Sequence, residues 1–73
     1  MTLYHFQMID TTGARHNLKS LRLADIRSVW REIQTVAADK SSGGQIRVLN
    51  ESGGIVVLVG IATARSLQQR VAA

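Results

Sequence analysis

Apolar and polar residues follow two different periods along this chain, and the changes of period fall at glycine-bearing turns. Asp10-Thr11-Thr12-Gly13 and Asn50-Glu51-Ser52-Gly53 repeat one pattern, an Asp or Asn, two polar residues and a glycine. Such a stretch closes a three-residue hairpin loop: a type I turn followed by a left-handed residue, where glycine carries no Cβ penalty. Each therefore predicts a β-hairpin. The first joins residues 3–9 to residues 15–19 with Ala14 opposite Asp10. Its register sends Tyr4, Phe6 and Met8 to one face, with Phe6 opposite Leu18 and Met8 opposite His16. His5, Gln7 and Ile9 point the other way, opposite Lys19, Asn17 and Arg15.

Residues 23–39 change period. Ile26, Val29, Trp30, Ile33, Val36 and Ala37 recur at the i, i+3, i+4, i+7 spacing of an amphipathic helix, with Arg27, Arg31, Glu32 and Gln34 on the opposite side. Asp25 in its first turn and Lys40 in its last complement the macrodipole, and Ser41-Ser42-Gly43-Gly44 reads as a turn with Gly43 as the left-handed terminator.

The second hairpin pairs residues 45–49 with residues 55–61. Carried straight from its turn, the register sets Val48 against Val56 and Ile46 against Leu58 on the helix side. Leu49, Ile55, Val57, Val59 and Ile61 then join Leu3 and Ile9 on the far face, a set too apolar for a sheet surface in water and on the order of 400 Å² or more if left bare. A short C-terminal helix capped by Thr63 makes only a thin lid, since Leu67 and Val71 are its few apolar groups. The expectation is a non-enzymatic interaction module that self-associates as a two-fold homodimer, with Leu49, Ile55, Val57 and Val59 at the interface.

With 73 residues the chain has room for one domain, 1–73, whose stability at ordinary per-residue values is on the order of 4 to 11 kcal/mol. It contains no cysteine, which removes disulfides, thiolate metal sites and cysteine nucleophiles. No apolar run approaches the roughly 20 residues of a membrane helix, and the amino terminus lacks the features of a secretory signal, so the cytoplasm is the expected compartment. Nine Lys and Arg against five Asp and Glu give a net charge of +4. A competing reading follows from that excess: weak, sequence-nonspecific nucleic-acid or other polyanion binding through a strip of Arg15, Lys19, Arg22 and Arg47.

Chemistry is sparse. His5 and His16 fall on opposite faces of the first hairpin, so they cannot share a metal ion. None of the serines lies in a nucleophile elbow, the 41–44 turn lacks the Gly-Lys-Ser/Thr ending of a phosphate loop, and the five acids offer no catalytic pair. Tyr4, Phe6 and Trp30 are the only aromatics, and Phe6 and Trp30 at least are patterned for the core rather than for stacking bases. No catalytic, cofactor-binding or metal-binding residue is assigned, and no small-molecule substrate is evident.

Tyr4-x-Phe6-x-x-x-Asp10-x-x-Gly13, the helix after it, and Ile46-x-Val48-x-Asn50-Glu51-x-Gly53 leading into an aliphatic strand resemble a family of small uncharacterised bacterial proteins. These are domains of unknown function frequent in rhizobia and related alphaproteobacteria. Members commonly carry an acidic segment before the helix, where this chain has the basic stretch Arg15 to Arg22. The resemblance implies no catalytic residues. A ubiquitin-like β-grasp is an architectural alternative. The expected fold is α+β in the order β-β-α-β-β, a four-stranded, mostly antiparallel sheet with one long helix on one face and a short C-terminal helix; the strand order is open.

Overall fold

The twin turns form as their sequence dictates, and they organise the rest. In the computed structural model, which describes residues 1–39 and 43–72 (the last six by backbone alone), the elements are β1 (Thr2–Ile9), β2 (Arg15–Leu23), α1 (Ile26–Asp39), β3 (Gln45–Leu49), β4 (Ile55–Gly60) and α2 (Ile61–Ala72). Asp10 Oδ1 accepts hydrogen bonds from Thr12 N, Thr12 Oγ1 and Ala14 N at 2.9, 2.6 and 3.0 Å. Asn50 Oδ1 repeats the arrangement with Ser52 N, Ser52 Oγ and Gly54 N at 3.1, 2.8 and 2.8 Å. Gly13 and Gly53 close the turns at φ of 90° and 89°. At the first turn His16 Nε2 also lies 2.9 Å from Asp10 Oδ2. The Thr12 hydroxyl and His16 together hold the Asp10 carboxyl well below the usual aspartate range.

The hairpins lie side by side in one antiparallel sheet of order β2-β1-β3-β4, with the two first strands, β1 and β3, paired in the middle. Each hairpin contains a bulge. In the first, Gln7 pairs with Asn17 but Phe6 pairs with Lys19, so Leu18 is an extra residue on β2. Leu18 then packs against the core while Lys19 reaches Glu32 of α1, and beyond them Leu21 and Leu23 return to the core side. This extends β2 to Leu23, past the expected end at Lys19. The helix starts correspondingly later, at Ile26 rather than 23, because Leu23 is spent on a strand position opposite Thr2. Asp25 is the N-cap rather than a first-turn residue: its Oδ1 accepts from Ser28 N at 2.9 Å and Ser28 Oγ at 3.0 Å, which lowers its pKa.

The second bulge corrects the face assignment of β4. Leu49 pairs with Ile55, but Val48 pairs with Val57 and Ile46 with Val59, leaving Val56 as the extra residue. One residue of slip exchanges the faces of a strand. Val57 is therefore buried and Val59 packs against the core, whereas the straight register put both on the far face. Leu58, expected toward the helix, is 52% exposed, and Val56 is 38% exposed. Ile61 is likewise not an outward strand residue: it is fully buried as the first residue of α2, two positions before the expected cap at Thr63.

One core joins the sheet to both helices. Phe6, Ile46, Val48 and Val57 come from the sheet, Val29, Ile33, Val36 and Ala37 from α1, and Ile61 and Ala64 from α2. Each large aliphatic or aromatic group so buried contributes on the order of 2 kcal/mol. α2 is also fixed by hydrogen bonds to main-chain carbonyls, Ile61 N donating to Gly44 O at 2.9 Å and the Arg65 side chain donating through Nε to Ala37 O at 3.0 Å. Gly44, not Gly43, is the residue with positive φ, at 124°, and a Cβ there would lie 2.5 Å from the Ile9 carbonyl oxygen. Lys40 and the Ser41-Ser42 half of the expected turn lie outside the described residues. Neither helix is long and apolar enough to cross a membrane.

Candidate functional site: the open face of the sheet

Both helices feed the core on one side of the sheet, so the other side is where exposed chemistry collects. The ladders place Leu3, His5, Gln7 and Ile9 of β1 on that side, with Arg15, Asn17, Ser20 and Arg22 of β2, Gln45, Arg47 and Leu49 of β3, and Ile55 and Leu58 of β4. The face divides in two along the strand order. Over β2, β1 and the Gln45 to Arg47 part of β3 it is largely polar and basic; at Leu49 and over β4 it becomes aliphatic, with Ile55 57% exposed and Leu58 52% exposed.

The polar half is a hydrogen-bonded ladder across three strands. Arg47 Nε and Nη2 donate to Gln7 Oε1 at 3.0 and 2.6 Å, and Gln7 Nε2 donates to Asn17 Oδ1 at 2.9 Å. One rung away, His5 Nδ1 lies 2.7 Å from Ser20 Oγ. A straight register would oppose His5 to Lys19, so this Ser-His contact exists because of the β2 bulge. The pair has the first link of a nucleophilic relay. Among the described residues, no carboxylate bonds to His5 to orient it, which a relay needs. A depression of about 400 Å³ lies beside it at the β2 bulge, bordered by His5, Gln7, Asn17, Ser20 and Leu49 together with the core-side Phe6, Leu18 and Lys19. A second groove, about 550 Å³, runs between β2 and α1, where Leu18, Val36 and Ala38 line it with Lys19 and Asp39.

The residues expected at sites are thus redistributed. Of the four interface candidates, Leu49 and Ile55 are on the open face, Val57 and Val59 on the core side, and Leu58 takes the outward place. Of the basic strip, Arg15, Arg22 and Arg47 share the open face, while Lys19 sits on the opposite side, paired with Glu32. Phe6 is buried, and Tyr4 and Trp30 pack against the core, so all three aromatics serve the core cluster. His5 and His16 lie on opposite faces, and no group of three or more potential metal ligands occurs among the described residues. No protein-family model, curated protein or solved structure matches the chain.

Proposed function

We propose that the chain is a non-enzymatic interaction module of the cytoplasm that self-associates through the aliphatic β4 end of its sheet, with Ile55 and Leu58 as contact residues. The single observation that carries this reading is that β4, a strand with no charged residue, leaves Ile55, Val56 and Leu58 between 38% and 57% exposed. A cluster of large apolar groups on one strand and its neighbour marks an interaction surface more often than scattered ones do. Kinship with the small bacterial β-β-α-β-β domains belongs to the same proposal, and is supported by Asp10 and Gly13 acting as the working residues of the first turn.

The test is the mass in solution across a wide concentration range. The expected result is a concentration-dependent dimer, and Leu58→Lys, which changes an exposed side chain, should give a folded monomer with nearly unaltered thermal unfolding. A wild-type chain that stays at 8.0 kDa at every concentration overturns the reading. A second reading, weak polyanion binding, is favoured by Arg15, Arg22 and Arg47 sharing one face. It predicts duplex DNA binding that falls steeply with salt and, with three phosphate contacts, a log-log slope no steeper than about −3. Absence of binding at low salt ends it.

A further inference from the structure

We propose that two copies of this chain join edge to edge, by antiparallel pairing of β4 with β4 of a second copy about a two-fold axis passing at Leu58, to give a continuous eight-stranded sheet. This rests on the self-association reading above and specifies its geometry. The two edges of the sheet differ sharply. β2 carries Arg15, His16, Lys19 and Arg22 in nine residues, the charged guarding that keeps an edge strand solitary. β4, Ile-Val-Val-Leu-Val-Gly, has neither charge nor proline, and beyond its bulge Val57 to Gly60 runs regularly against β3. Its outer side presents unpaired N–H and C=O groups, and the occupant that satisfies such a row is another strand.

Charge selects a second copy in this arrangement over others. Each copy carries +4. Pairing at the uncharged edge sends the two β2 strands to opposite ends of the sheet, seven strand spacings or about 34 Å apart, well beyond the screening length of about 8 Å. Packing open face against open face would instead cover the Arg47 guanidinium and bring two basic halves together. β4 against β2 of the next copy would repeat without closing.

Register follows from the faces. Residues directly opposite in a ladder share a face, so the pairing must oppose outward residues to outward ones. Leu58 opposite Leu58 does so and sets Val57 opposite Val59, keeping the core-side valines of both copies on the helix side. The aliphatic halves of the two open faces then merge in the middle of the assembly.

A chain with no cysteine makes single-cysteine crosslinking clean. Oxidation of Leu58→Cys should give a disulfide-linked dimer, because directly opposed Cβ atoms lie about 5 Å apart. Leu49→Cys, three strand spacings or about 14 Å from its counterpart across the seam, should stay monomeric under oxidation. In the unmodified protein, amides within Val57 to Gly60 should exchange more slowly at concentrations where the mass doubles. Crosslinking of Leu49→Cys without Leu58→Cys, or a dimer whose β4 amides gain no protection, overturns edge pairing while leaving self-association standing. A monomer at every concentration removes both.

Discussion

The two hairpins share a turn and differ in everything that follows it. Asp10 and Asn50 accept the same three hydrogen bonds, and Gly13 and Gly53 match within a degree of φ. Yet the first hairpin keeps register for three rungs before its bulge at Leu18, whereas the second slips after one, at Val56. A turn fixes only the rungs beside it; farther out, the register belongs to whichever arrangement best buries the strand's apolar groups. In β2 the slip lets Leu18, Leu21 and Leu23 all face the core with Ser20 and Arg22 outward. In β4 it places Val57 and Val59 against Val48 and Ile46, and delivers Ile61 to the buried start of α2.

The most severe way to break the second hairpin is Val57→Lys. An ammonium in a buried core position without a partner costs several kcal/mol, comparable to the whole stability of a domain this size. The expected outcome is loss of the cooperative thermal transition by circular dichroism, in contrast to the folded Leu58→Lys; a folded Val57→Lys would mean that the slip is wrong. Next in size is Gly44→Ala, at the junction between the hairpins. Positive φ and a 2.5 Å approach to the Ile9 carbonyl should together cost on the order of 3 kcal/mol in urea unfolding.

Smaller effects sharpen the likeness of the turns. Gly13→Ala and Gly53→Ala each place a Cβ in open space at positive φ, so both should cost about 1 kcal/mol, and equally within error. A clear inequality in urea midpoints would show that the turns are not equivalent. Last, the carboxylate turn should be acid-sensitive and the amide turn not. The Asp10 pKa is depressed in the folded state, so its stabilisation is present above the ordinary value of 3.8 and lost as pH falls below it. Asp10→Asn should flatten the fall in melting temperature below that pH. Only part of the slope should go, because Asp25, also lowered, contributes in the same direction.

These contrasts also mark how far the sequence is legible. Both turns, the α+β class and the helix face of α1 from Val29 onward follow from period and turn chemistry, whereas Ile26, expected on that face, is 44% exposed. The first bulge leaves a trace as well: leucines at 18, 21 and 23 are spaced three then two, which no uninterrupted strand can place on one face. The second leaves none. Residues 55–59 are aliphatic at every position, so either register reads as well as the other, and Val57 and Val59 could be assigned only by the packing of β3 and the start of α2. The open face inherits that ambiguity: Leu49 and Ile55 are identifiable, Leu58 is not, and the Ser20 contact of His5 requires the bulge to be known first.

The uniform run Ile55 to Val59 has a further consequence during synthesis and refolding. Five consecutive aliphatic residues without charge or proline form the kind of segment that stacks into cross-β aggregates whenever it is solvent-exposed. Native folding buries Val57 and packs Val59 against the core, leaving a shortened and interrupted hazard. Recovery from denaturant should therefore decline as protein concentration rises, the losses arising from the chain before β4 docks on β3.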